Sequence, residues 1–261
     1  LVRWAGPITA AWFALAAIPT FVWVRDRSVP KPLPAGKRLG AAAFGAIVAT
    51  AREAGRYRDL AVFLVSHFFA MAGLSIVVSF AFIYGDQVIG WSAGTQAAMF
   101  ALTQVSATVG AVGFGWFQGR LGDKATYAIT LAVWCVAVGL IRFNAEVSDL
   151  VRTVSPTATS EQVFLGTGVV AGMCMGATQS AARTLVALLS PPDKVGEFFG
   201  LWGMFGKLAA VVGLMSLGAL QATFGLADAI GVTGLFFALG LAVVAFVDVP
   251  RGQRAATRLE G

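Results

Sequence analysis

Apolar residues along this chain fall into seven continuous runs, near 4–24, 60–84, 94–118, 125–144, 163–183, 198–218 and 229–247. Each run holds about twenty residues or slightly more, and at 1.5 Å rise per residue that matches a bilayer core of ~30 Å. The pattern predicts seven transmembrane helices. The runs are continuous and rich in Ala, Leu, Val and Gly, whereas a transmembrane barrel needs alternating strands of ~10 residues. The first run exceeds the 7–15-residue core of a signal peptide, and no small-residue cleavage site follows it.

Linker lengths divide the seven runs as one plus six. Segment 1–24 is a single helix, 25–59 a basic linker, 60–247 a six-helix bundle and 248–261 a tail. Pro30, Pro32 and Pro34 forbid a helix continuing from the first run. From Lys37 to Arg58, basic residues alternate with Leu39, Phe44, Ile47 and Val48, which predicts an amphipathic helix on the inner leaflet; a flexible linker is the alternative. Connections within the bundle are short except for an outer loop, 145–162. Thr159-Ser160-Glu161-Gln162 offers a capping box for the helix that follows, and Asp228 a cap for the last span.

Composition settles the class. The chain is 57% hydrophobic and 12% charged, against ~45–50% and ~25% in soluble domains. Its net charge of +6 is placed for a membrane, not for nucleic acid. Alternating the linkers between two sides puts fifteen Lys and Arg on one side and three (Arg3, Arg142, Arg152) on the other. By the positive-inside rule the chain starts outside and ends in the cytoplasm, consistent with a bacterial plasma membrane protein in contact with lipid. Cys135 and Cys174 lie within different spans and read as small apolar residues.

Polar groups deep in the spans are the site candidates, because burying them in lipid is costly. Lys207 and Gln104 each lie about halfway along a span, where both could meet one midplane ligand, the ammonium suiting a carboxylate. Gln179 lies one turn from Arg183, and His67, the only histidine, a third of the way up the second span; together these four mark a substrate pathway. His67 could carry a coupling proton or be satisfied by a carbonyl. Arg183 and Glu197 flank an inner Pro turn, as a gate or a structural ion pair, and Arg142 is placed to snorkel. Gly168, Gly172, Gly176 and Ser180 recur every four residues, predicting close helix packing; Gly115/Gly119 and Gly196/Gly200 repeat the spacing. No nucleotide loop, metal cluster or catalytic triad is visible, so neither an enzyme nor a cofactor or metal is expected.

Two segments resemble a known family. Gly115-Trp-Phe-Gln-Gly119-Arg120-Leu-Gly122-Asp-Lys124 is similar to the inner-loop signature of the major facilitator superfamily, with Gly115, Arg120, Gly122 and Lys124 matching and Gly119 in place of the usual Asp. Gln179-Ser180-Ala-Ala-Arg183, Ser190-Pro191, Gly196-Glu197-Phe-Phe-Gly200-Leu-Trp202 and Gly206-Lys207 resemble the vacuole-effluxer-like branch of that superfamily. The resemblance implies an all-α bundle of two 3+3 repeats, a gating role for the inner loop, and secondary transport of small solutes such as amino acids. On that template the chain is helix six, the central linker and helices seven to twelve, its partner being an N-terminal six-helix half. Efflux of amphipathic drugs or metabolites, and a non-transporting scaffold or receptor, are the alternatives.

Overall fold

The computed structural model of the chain describes residues 2–23, 45 and 49–258, all but the turns helical, with no strand among them. The chain divides into two units, Leu1–Gly45 and Ala46–Gly261. In the first, α1 (Val2–Trp23) carries the first apolar run and holds Pro7 and Pro19 internally. Prolines are tolerated in membrane helices more readily than in soluble ones. Half of the predicted linker helix, 37–44 and 46–48, lies outside the described residues.

The second unit starts with a short helical stretch, 49–54, followed by α2 (Arg58–Tyr84), which continues into a π-helical turn over Gly85–Ile89. Then come α3 (Ala93–Leu121), α4 (Asp123–Arg142), α5 (Asn144–Val154), α6 (Ser160–Leu189), a 3₁₀ turn at Pro192–Lys194, α7 (Val195–Phe224), α8 (Leu226–Ala245) and α9 (Val249–Arg258). Gly122 (φ 84°) and Gly225 (φ 79°) make the reversals after α3 and α7, a left-handed conformation that glycine reaches without steric cost. Seven helices among the described residues are long and apolar enough to cross a membrane. The protein is an all-α polytopic membrane bundle.

Several spans outrun their apolar cores. The run 163–183 rides on Ser160–Leu189, and 198–218 on Val195–Phe224. A helix does not end where hydrophobicity does; it continues until a breaker, here the Ser190-Pro191 pair and Gly225.

Helix contacts in this unit follow a two-fold pattern. α3 packs on α6 and α2 on α7; α2 packs on α8 and α4 on α6; α4 meets α8, and α2 meets α6. Exchanging α2, α3, α4 for α6, α7, α8 leaves that list unchanged, as a 3+3 repeat requires. The central layer is aromatic: Trp134 on α4 stacks on Phe237 on α8 at 5.1 Å and 4°, with Phe63, Tyr127 and Phe198 also fully buried.

Three expectations need correction. The outer loop contains α5, a helix whose short, mixed sequence lacks the long apolar run of a span. Asp228 does not cap α8: Gly225 occupies the N-cap position, no side chain caps it, and Asp228 falls in the first turn. There it binds Arg142 at 2.5 Å, so Arg142 joins α4 to α8 instead of reaching alone into the headgroups. The capping box at Thr159 is present, with both reciprocal hydrogen bonds.

Candidate functional site

The glycine ladder positions the site. A Cβ added to Gly168, Gly172 or Gly176 on α6 would overlap Met99, Ser106 or Ala107 on α3, and one on Gly110 would overlap the Met173 carbonyl. At Gly172, Gly176 and Gly110 the obstacle includes backbone, so the two helix backbones run in close contact there; at Gly168 it is the movable end of Met99. The α2–α7 contact has a counterpart, where a Cβ on Gly213 would stand 2.5 Å from the Ala72 carbonyl oxygen. Gly115, Gly119, Gly196 and Gly200 differ: a Cβ there would meet nothing within 4 Å among the described residues. Ser180 is half-buried.

Beside the α3–α6 contact, α2, α3, α4 and α6 enclose a pocket of about 190 Å³. Trp91, Met99, Phe100, Trp134, Phe164 and Met175 supply most of its wall, and Thr103, Gln104 and Thr167 its polar side chains. Two of those three are already engaged. Thr103 donates to the Met99 carbonyl at 2.7 Å, and Thr167 to the Val163 carbonyl at 3.1 Å. The exposed amide of Gln104 has no hydrogen-bond partner among the described residues. The result is an apolar slot with one amide at its rim, a common form of small-molecule site.

No hydrogen bond or ion pair joins any two of Lys207, Gln104, Gln179 and His67 among the described residues. Lys207 is exposed on α7 and Gln179 half-buried on α6, and neither lines this pocket. His67 is buried at 2% exposure between Phe63 (6.1 Å, 28°) and Trp202 (5.1 Å, 25°). Its Nδ1 and the Trp202 Nε1 are both buried without a partner. Such orphans are uncommon in native interiors, and aromatic stacking explains the position of the ring but not these two atoms.

Polar contacts concentrate at the end carrying the α6–α7 turn. Asp59, 3% exposed at the start of α2, receives two hydrogen bonds from Arg251 (2.9 and 2.7 Å) and one from the Asp248 backbone N–H (2.8 Å). This ties α2 to α9, and the hydrogen bonds to Asp59 push the Arg251 guanidinium above its ordinary value. Lys194 pairs with Glu53, Thr50 donates to Glu197 at 3.1 Å, and Tyr57 meets Phe198 edge-on at 5.7 Å. Segment 49–57 is thereby docked on the α6–α7 turn. Arg183 is exposed and makes no ion pair among the described residues, so the Arg183–Glu197 pair is not formed. Within the loop signature, Arg120 lies over the Trp116 ring at 3.9 Å, Asp123 accepts from Gln118 at 2.6 Å, and Lys124 donates to the Ala245 carbonyl at 2.8 Å. Lys124 thus satisfies a helix-end carbonyl of α8.

Sequence reasoning missed Trp134, Phe164 and Thr167 as pocket walls and Asp59 as a tie. A carboxylate at the edge of an apolar run was the available signal for Asp59.

Six spans in a two-fold contact pattern, with an apolar slot between the repeats, define a polytopic helical membrane protein of 3+3 architecture. Residues 2–257 match the profile of the family described as vacuole effluxer Atg22 like, and the chain belongs to that family. It is 26% identical over 246 residues to an uncharacterized MFS-type transporter, YxiO, of Bacillus subtilis, covering 92% of this chain and 52% of the relative. Autophagy-related protein 22 of Botryotinia fuckeliana is 24% identical over 267 residues, covering 96% and 44% respectively. Autophagy-related protein 22-1 of Aspergillus niger is 26% identical over 261 residues, covering 95% and 42%. The chain therefore spans about half the length of the curated relatives it matches. No solved structure matches it.

Proposed function

We propose that this chain forms one half of a secondary transporter that exports small solutes, amino acids foremost, by alternating access against a second six-helix bundle. The observation that carries the reading is the slot of about 190 Å³ between α2, α3, α4 and α6. It lies below the ~300–1,000 Å³ of drug-sized sites, which favours a single apolar side chain over an amphipathic drug. Family membership, the names of the relatives and their roughly doubled length support the paired-bundle arrangement. So do the large exposed faces of α3 and α7, whose most apolar windows are each only 17% buried.

In this reading the slot takes the apolar part of the solute and the Gln104 amide its polar end. Lys207, exposed on α7 and outside the slot, is a separate candidate for meeting the solute carboxylate along the pathway. The protein lies in a bacterial plasma membrane with the α9 end in the cytoplasm and the α5 end outside, supported by the fifteen-to-three charge bias. A scaffold predicts no flux at all. With full-length protein in lipid vesicles and radiolabelled amino acids, Ala171→Trp should fill the slot and lower flux about tenfold. Unchanged flux in that variant refutes the slot as the binding site, and Lys207→Ala tests the cation in the same assay.

A further inference from the structure

We propose that α5 is an interfacial helix, lying in the plane of the membrane with one face buried among the lipids of the leaflet at that end of the bundle. Its sequence divides into three sectors at 3.6 residues per turn. Asn144 and Ser148 are buried against the bundle at 2% and 1% exposure. About a quarter-turn away, Phe143, Val147, Leu150 and Val154 make an apolar stripe with the i, i+4, i+7, i+11 spacing of one helix face. A quarter-turn beyond the stripe, on the side facing away from the bundle, lie Glu146, Asp149 and Thr153, with Asp149 paired to Arg152 at 2.8 Å.

The stripe is bare. Phe143 is 52% exposed, Leu150 69% and Val154 88%. Water would make such a face costly on a short helix, whereas lipid makes it favourable. Position selects lipid as the occupant. α5 joins the ends of two spans, α4 and α6, and starts two residues after Arg142, whose pair with Asp228 ties the ends of α4 and α8. The neighbouring span also presents apolar surface outward, Val136 on α4 being 62% exposed. A helix with its protein side, its apolar side and its polar side in three separate sectors fits one location, flat beside a bundle at the acyl–headgroup boundary. Two carboxylates against one guanidinium on its outer turns give no attraction to anionic lipid, so the contact is apolar and independent of headgroup charge.

Spin labels test this in the intact chain reconstituted into phosphatidylcholine vesicles, after Cys135→Ala and Cys174→Ala remove the two native thiols. Labels introduced by Leu150→Cys and Val154→Cys should collide several-fold more with oxygen than with a water-soluble nickel chelate. Asp149→Cys and Thr153→Cys should show the reverse, and added phosphatidylserine should change neither. Nickel access at 150 and 154 equal to that at 149 and 153 overturns the proposal, because the face then meets water. Protection from both reagents at 150 and 154 also overturns it, because protein then covers the face, from a second copy or another segment. If the thiol-free chain does not fold, the same labels can be read with both native thiols kept, since Cys174 is buried and Cys135 half-buried.

Discussion

Gly176 and Gly119 differ in what surrounds them, although both belong to four-residue glycine spacings. A methyl at Gly176 collides with the Ala107 backbone, while one at Gly119 meets nothing within 4 Å. Gly176→Ala should therefore lower stability by ~1–3 kcal/mol, the cost of overpacking, and Gly119→Ala should leave the thermal midpoint in detergent unchanged. The spacing was readable in the chain; which ladder faces a neighbour was not, because that depends on helix rotation. Asp59 makes a second contrast. Asp59→Asn weakens hydrogen bonds to a charged group, ~1.5–3 kcal/mol by denaturant unfolding. Arg251→Ala should lower the midpoint further, because it leaves a carboxylate of 3% exposure without its cation. Equal midpoints for the two variants would show that the Asp248 N–H alone satisfies Asp59.

Helices declared themselves according to how much of their sequence is apolar. All seven spans could be placed within a few residues, because no other structure accommodates such runs in lipid. α5 could not, since eleven residues of mixed polarity resemble a loop until their three faces are seen in place. Helix starts were readable where side-chain chemistry made them. Thr159 and Gln162 form the expected box, and Thr159→Ala should cost ~1 kcal/mol, read as a lower thermal midpoint. The start of α8 was misread because Gly225, at φ 79°, begins the helix three residues before Asp228. Asp228 was then free to pair with Arg142 across 86 residues of sequence, a contact that no local pattern encodes.

For the whole molecule, two-fold exchange of α2–α4 with α6–α8 places the slot where the two repeats meet, and the polar ties of α9 and segment 49–57 at one end. The resemblance implied a 3+3 repeat, and the helix contacts have that two-fold pattern. The slot itself was not foreseen, since its walls come from four helices and most are ordinary core residues such as Trp134 and Phe164. Gln104 was singled out for its depth, and the structure places it on that rim; Lys207, chosen on the same ground, stands elsewhere. Flux through the full-length protein decides whether the slot holds the solute. Reconstituted wild type should move labelled amino acids across the vesicle membrane, and Ala171→Trp, folded to the same thermal midpoint, should move them about tenfold more slowly. Equal rates for the two proteins, or no movement by wild type under any applied gradient, would contradict it.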